Sequence, residues 1–379
     1  MEFKAIVNVM PDDKFLDYYI DISEKLCPEK SSYVVFSDKE ELNFIKSKNP
    51  NLVKISNSQQ SYLKLSKFFE NVSVVIFHSF IDLHLEFINE IPENIVKVWL
   101  FWGHEGYGAL PSSRYTKINS GKLLYPHTLF GKLRFWKDYI LNYYLSENNR
   151  LNRSIIKKMD YCATWVDRDY DLAKIINQKI KRLYFSYYSN ELMGLDKILE
   201  TPINKNRVLL GNSGNHSNNH IEALELLHKK KFSGEIICPL SYSGSNTYIR
   251  AIEKKGYQMF NKNFIPLLDF MPLHEYQDVL NSCGIVWMNH IRQQAAGNLF
   301  AAFCTKKIVV LDEENPMIKT FEDWGLHFLK TNKLDQLDNL DIRPFEKNRD
   351  IILSKIVIKA NEEFFVEIEK MIELKKDKF

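Results

Sequence analysis

RVLLGNSGNHSNNHIEALELLHKK, residues 207–230, decides the fold class. An apolar run passes into two glycines and small polar residues. A helix-period pattern, NNHIEALELLHKK (218–230), follows. Strand, tight polar turn and helix in that order are the beginning of a βαβ unit. The same grammar repeats downstream in GEIICPLSY (234–242), FIPLLDF (264–270), GIVWMNH (284–290) and KIVVLDEEN (307–315). Upstream it repeats in KAIVNVM (4–10), SYVVFS (32–37), VSVVIFHSF (72–80), VKVWLFWG (96–103) and YCATWV (161–166). Two series of β-branched runs alternating with helical patterns predict an α/β protein of two Rossmann-like domains. A polar stretch without a clear period, 185–206, separates them. The expected domains are therefore 1–190 and 206–343, followed by one mixed-charge helix over 344–379. Ligands of such sheets bind beyond the carboxyl ends of the strands, so an interdomain cleft there is the expected site.

Composition fits this picture and removes other classes. With 379 residues the chain is too long for one ordinary core. Lys and Arg (51) exceed Asp and Glu (48) by only three, which gives no reason to expect a nucleic-acid partner. The five cysteines, Cys27, Cys162, Cys238, Cys283 and Cys304, form no CxxC pair. Neither a disulfide framework nor a structural zinc site is expected, and free cysteines suit a reducing compartment. MEFKAIVNVMPDDKF reads as neither signal peptide nor span, and no apolar run is long enough to cross a bilayer.

The residues just after each strand carry the chemistry. In GNSGNHSNNH (211–220), backbone N–H groups and a helix start suit an anion, with Ser213, Asn215 and Ser217 as side-chain donors. An ordinary N-cap explains the same residues as well. In NHIRQQAAGNL (289–299), Arg292 offers a bidentate fork to a diphosphate. Gln293 and Gln294 offer amides for sugar hydroxyls, and Gly297 allows close approach in the helical turn. In DEENP (312–316), Glu314 can accept ribose hydroxyls, and Asn315, which opens the next helix, is placed with it on the donor side. In PLSYSGSN (239–246), Tyr242 can touch nucleotide or phosphate. In WGHEGYG (102–108), His104 and Glu105 are candidates for the base that deprotonates an acceptor hydroxyl. His78 is a second imidazole candidate. Asp12-Asp13 and Asp167-Arg168-Asp169 have the spacing of cation ligands, but cationic and amide donors suffice for a diphosphate, so neither metal nor organic cofactor is expected.

One stretch differs in charge. Over 121–158, Lys122, Lys132, Arg134, Lys137, Arg150, Arg153, Lys157 and Lys158 face only Asp138 and Glu147. Leu123, Leu124, Phe130, Leu133, Phe135, Trp136, Ile140 and Tyr144 are interleaved. The segment can lie on an anionic membrane surface, or it can be an amphipathic helix with a solvated basic face.

GNSGNHSNNHIEAL, PLSYSGSN, IRQQAAGNL and DEENP, in this order, resemble the TDP-4-acetamido-4,6-dideoxygalactose (4-acetamidofucose) transferases, glycosyltransferase family 56, of enterobacterial common antigen synthesis. PDDKF and WGHEGYG match more loosely. At His104-Glu105 the family pattern has Ala-Asp, so the carboxylate is kept and its neighbour differs. The resemblance implies a GT-B fold and a glycosyltransferase of surface polysaccharide or O-antigen synthesis. It also implies a dTDP-sugar donor, a polyprenyl-diphosphate-linked acceptor and a peripheral position at the cytoplasmic face of the inner membrane. Donor roles are implied for Ser213, Arg292, Gln293, Gln294 and Glu314. A nucleotide-sugar 2-epimerase of the same fold, or a nucleotide-sugar-binding scaffold without turnover, are the alternatives.

Overall fold

The computed structural model describes residues 2–80, 85–110, 115–124, 128–140 and 147–376. The chain divides into two compact units, each discontinuous in sequence. One is built from Met1–Leu110, Leu141–Leu192 and Val357–Phe379, the other from Pro111–Ile140 and Met193–Ile356.

The first unit is organised on a seven-stranded parallel sheet. Its strands are β1 (Ile6–Met10), β2 (Ser31–Phe36), β3 (Leu52–Ile55), β4 (Val74–Phe77), β5 (Val96–Leu100), β6 (Tyr161–Ala163) and β7 (Lys181–Leu183). They lie in the order β3-β2-β1-β4-β5-β6-β7. The second unit holds a six-stranded parallel sheet of β8 (Arg207–Leu210), β9 (Glu235–Pro239), β10 (Phe264–Leu267), β11 (Ile285–Met288), β12 (Ile308–Leu311) and β13 (Leu329–Lys330). Their order is β10-β9-β8-β11-β12-β13. Each sheet winds outward from its first strand, then returns and winds the other way. The direction changes between β1 and β4 in one unit and between β8 and β11 in the other. Such switch points open a crevice at the carboxyl ends of the strands.

Parallel strands covered on both faces by crossover helices are apolar throughout. IVNVM of β1, VVIF of β4, IVWM of β11 and IVVL of β12 are buried along their whole length. The strands stop short of the apolar runs in the sequence. The trailing HSF, FWG, NSG, NH and DEEN residues are loops, which puts the polar residues at the strand ends. Three strands, β3, β7 and β13, come from stretches that sequence patterning leaves out. They are short outer strands, and LVKI, KRL and LK are partly exposed in them.

The expected single helix over 344–379 is divided. Helices Asn348–Lys355 and Glu362–Lys376 are separated by a short 3-10 turn, Ile358–Asn361. The chain passes from the second unit to the first at this break. Asn361 fixes it by accepting from the Ser186 N–H (3.1 Å) and donating to the Ser186 carbonyl (2.9 Å). Phe364, Phe365, Ile368, Met371 and Ile372 of the last helix then join the core of the first unit.

Candidate functional site

In the second unit the loops after β8 and β11 meet at the switch point. Gly211 ends β8 with φ +72°, and a Cβ there would lie 2.8 Å from Asn218 Oδ1 and 2.9 Å from His220 Nε2. Only glycine allows that approach. Asn218 is the hub beneath the loop. Its Oδ1 accepts from the Asn212 N–H (3.0 Å) and lies 2.8 Å from His290 Nε2. Its Nδ2 donates to Ser213 Oγ (3.1 Å). Asn215 accepts from the Ser217 N–H (3.0 Å) and donates from Nδ2 to Ser243 Oγ (3.2 Å). The Tyr242 loop is tied on through backbone: the Gly214 N–H donates to the Tyr242 carbonyl at 2.9 Å. A Cβ on Gly244, whose φ is +96°, would fall 2.0 Å from the Gly214 oxygen.

Arg292 and Gln294 close this cluster from the β11 side. Arg292 Nε donates to Ser217 Oγ (3.1 Å) and to Gln294 Oε1 (2.8 Å), and Gln294 Nε2 donates to Asn212 Oδ1 (2.9 Å). The guanidinium stands 5.5 Å from the centre of the Tyr115 ring, a cation–π distance. Burial, helped by Arg292, depresses His216 to about 4, and burial depresses His220 to about 3. Both imidazoles are neutral near pH 7, and among the described residues of this cluster Arg292 is the cation. Gln293 lies half-buried on the same loop. Gly297 is in the first turn of the helix Ala296–Cys304, where a Cβ would lie 3.3 Å from Met193 Cε.

After β12, Lys117 Nζ pairs with buried Asp312 (2.5 Å) and lies 3.6 Å from Glu314, whose side chain is 65% exposed. Asn315 is buried instead and accepts from the Met317 N–H (2.9 Å), so it fixes the turn before the helix Ile318–Trp324. The Lys117 segment is bolted to the second unit. Asn219 Oδ1 accepts from the Lys117 N–H (2.7 Å), and Glu222 accepts from the N–H groups of Asn119 (2.7 Å) and Ser120 (3.0 Å).

Ser213, Asn215, Arg292 and Gln294 therefore fall in one cluster, with Tyr242 on its border and Glu314 at the next strand end. Asn212, Asn218, Tyr115 and Lys117 belong to the same arrangement and were not singled out in the sequence. Asn212 and Asn218 lie inside the 211–220 motif, but nothing local marks Tyr115 and Lys117.

In the first unit, Glu105 follows β5 and is closed to solvent. Its Oε1 accepts from Trp99 Nε1 (3.0 Å) and from the Trp102 N–H (3.1 Å), and its Oε2 lies 3.0 Å from His104 Nδ1. The His104 side chain is 48% exposed. Of the pair, only the imidazole is open to a substrate. His78 is buried between Tyr187 Oη (2.6 Å) and Asn8 Oδ1 (3.3 Å), and burial holds it well below its usual pKa. Asp12 accepts from the backbone N–H groups of Asn43, Phe44 and Ile45. Asp167 pairs with Arg182 at 2.7 Å. Asp169 accepts from Tyr107 Oη at 2.6 Å, and burial pushes its carboxyl up to about 7.

The basic 121–158 stretch falls partly in each unit. Residues 125–127 and 141–146, Tyr144 among them, and the Phe135 side chain lie outside the described residues. Thr128 caps the helix Leu129–Tyr139 by accepting from the Gly131 N–H (3.0 Å). Leu129, Phe130, Leu133 and Trp136, with Ile140 just beyond, leave an exposed apolar stripe on it. In the first unit, Ile155 and Ile156 of the helix Glu147–Ile156 are buried. Among the described residues no helix is long and apolar enough to cross a membrane.

Comparison with known proteins agrees with this architecture. The family model described as 4-alpha-L-fucosyltransferase, glycosyl transferase group 56, matches residues 132–361. HepE of Anabaena, solved with UDP and glucose, superposes with a TM-score of 0.61 at 9% identity, covering 97% of this chain and 99% of that one. A glycosyltransferase from Rickettsia africae gives 0.59 at 12% identity, covering 98% and 99%. The N-terminal domain of trehalose-6-phosphate phosphatase from Candida albicans gives 0.60 at 9% identity, covering 98% of each chain. The likeness at these identities is one of fold, and the fold is GT-B.

Proposed function

The chain belongs to the 4-alpha-L-fucosyltransferase family, glycosyl transferase group 56, and is a glycosyltransferase; from that premise we propose that it moves a deoxy-amino sugar, 4-acetamidofucose or a relative, from a dTDP-sugar to a polyprenyl-diphosphate-linked saccharide. The observation that carries the donor half is the Asn212–Gln294–Arg292–Ser217 network. It joins the loops after β8 and β11 at the switch point. A cation held there, beside the start of the helix His220–Lys229, suits a diphosphate. Arg292 and the loop N–H groups offset the charge that grows on the departing diphosphate. Ser213, Asn215 and Gln293 border the diphosphate and sugar, Tyr242 the nucleotide, and Glu314 the pentose hydroxyl. The UDP and glucose bound to HepE support a nucleotide-sugar donor for this fold.

His104 is the base in this reading and Glu105 positions it. The Glu105 carboxylate, 3.0 Å from His104 Nδ1, stabilises the imidazolium that forms when Nε2 takes the acceptor proton. The acceptor oxygen bonds to the anomeric carbon, the bond from that carbon to the diphosphate breaks, and dTDP leaves. No metal or organic cofactor takes part. Because the acceptor carries a polyprenyl chain, catalysis takes place at the cytoplasmic face of the inner membrane. The apolar stripe of Leu129–Tyr139, with Lys132, Arg134 and Lys137, suits an anionic bilayer surface.

A thermal-shift panel of dTDP-, UDP- and GDP-sugars tests the donor. A specific ligand raises stability by RT ln(1 + [L]/Kd), and the dTDP-4-acetamido-dideoxyhexose should give the largest shift. A larger shift with UDP- or GDP-sugars, or none with any, would refute the dTDP assignment.

A further inference from the structure

The turn that carries His104 is too short to hold itself. His104–Gly108 is a five-residue helix, and so short a helix is not stable without tertiary support. The Tyr107 N–H donates to the Gly103 carbonyl (2.8 Å) and the Ala109 N–H to the Glu105 carbonyl (3.1 Å). The orientation of the imidazole therefore depends on what fixes the turn from outside. Glu105 ties it back to Trp99 Nε1 and the Trp102 N–H, on the strand that leads into it. Arg153 Nη1 donates to the Ala109 carbonyl at its end (3.2 Å). Tyr107 adds a tie to a separate element: its Oη donates to Asp169 Oδ1 at 2.6 Å, across 62 positions of sequence.

Asp169 is wholly closed to solvent. A buried carboxyl costs stability, and a neutral acceptor would satisfy a tyrosine hydroxyl equally well. The helix Asp167–Ile176 does not require it either. Asp167, at the helix start and paired with Arg182 at 2.7 Å, already meets the helix dipole. What the carboxyl adds is a charge-assisted bond, roughly twice as strong as a neutral one. Burial pushes Asp169 up to about 7; Glu105 adds to the rise, and the Tyr107 bond and Arg182 oppose it. Cys162 and Tyr188 are its other electrostatic neighbours. The carboxylate that makes the bond is therefore populated at pH 7 and above.

We infer that Asp169, through Tyr107, is a positioning residue for the transfer: it holds the His104–Gly108 turn so that the imidazole stays against Glu105 and ready for the acceptor hydroxyl. The inference rests on His104 as the base and deepens that reading by naming what fixes the base. Glu105 sits on the same turn as His104 and moves with it. Asp169 belongs to another element and anchors the whole turn to the helix Asp167–Ile176.

The test compares Tyr107→Phe with the double variant Tyr107→Phe/Asp169→Leu in the full chain. Tyr107→Phe leaves a buried carboxyl without that donor and can lose stability. The double variant removes both polar partners together, which is close to neutral for a fold. Transfer kinetics with the dTDP-sugar and lipid-linked acceptor, a thermal melt, dTDP calorimetry and hydrogen exchange of the Tyr107 and Ala109 N–H groups are measured on each. In the double variant kcat should fall about 10-fold, with dTDP affinity within about twofold of wild type and the melting temperature nearly unchanged. The two N–H groups should exchange about 10-fold faster. A role in stability alone predicts instead that the double variant regains wild-type kcat along with its melting temperature. That result with an inactive His104→Ala, or unchanged exchange in both variants, would overturn the inference alone. Wild-type kcat in His104→Ala would refute the base assignment. No dTDP binding and no transfer by wild type would refute the donor reading, while faster exchange in the double variant would still uphold the tether.

Discussion

Replacing Gln294 by Ala is the most informative perturbation of the proposed donor site, because Gln294 holds other groups in place. Its Oε1 accepts from Arg292 Nε at 2.8 Å and lies 2.7 Å from Ser217 Oγ, while its Nε2 donates to Asn212 Oδ1 at 2.9 Å. A bond to a charged group contributes roughly 1.5–3 kcal/mol and a neutral one roughly 0.5–1.5 kcal/mol. Asn212, Arg292 and Gln294 are only half-buried, so water recovers part of the loss and global stability should fall little. The guanidinium loses its lateral restraint, and ordering it again falls on the donor. A loss of about 1.4–2.8 kcal/mol in binding corresponds to a roughly 10- to 100-fold rise in Kd. Titration calorimetry with dTDP, paired with a thermal melt, reads both quantities. Donor affinity within twofold of wild type at unchanged stability would refute the positioning argument.

The His104–Glu105 pair makes a distinct kinetic prediction. His104→Ala should abolish most transfer at unchanged dTDP affinity, and Glu105→Gln should lower kcat and shift the acid limb of the pH–rate profile; an unshifted profile would contradict the role given to Glu105. Changing Lys132, Arg134 and Lys137 together to Glu should release the protein from anionic vesicles and slow transfer to a lipid-linked acceptor, with dTDP binding intact; equal sedimentation of variant and wild type with vesicles would refute the docking surface. Stability should fall on acidification. The folded value of His220 is about 3 against about 6.5 in an unfolded chain. Between these values the unfolded state binds the extra proton, so the folded state loses ground as pH drops from about 6.5 towards 3, by on the order of a few kcal/mol. Urea midpoints of wild type and His220→Gln across that range check this, and equal pH slopes would contradict it.

The parallel strands were legible because each is buried on both faces and therefore reads as an unbroken apolar run. LVKI, KRL and LK of β3, β7 and β13 escaped notice because outer strands keep polar residues and are short. Discontinuity of the units was not legible at all. Tyr115 and Lys117 join the second unit through Asn219, and Asn119 and Ser120 beside them through Glu222, about a hundred positions away, and local periodicity carries no trace of such contacts. The polar turn motifs gave the place of the candidate site, since Gly211 and Arg292 follow strands that are neighbours at the switch point. They did not give the division of labour within it. Asn315 and Glu314 read alike in DEENP, yet one is buried as a turn-forming residue and the other is exposed. Glu105 likewise looks like a free base in WGHEGYG. Its burial depends on the indole of Trp99 and the backbone of Trp102 reaching it, which only the folded chain reveals.

The central claim is that the second unit holds a nucleoside diphosphate on Arg292. Calorimetric titration of dTDP into wild type and Arg292→Ala, in metal-free buffer, addresses it most directly. Loss of the charge-assisted fork should weaken binding by about 100-fold, with the melting temperature nearly unchanged. Equal affinity of the two proteins, or no dTDP binding by wild type without added metal, would contradict the account.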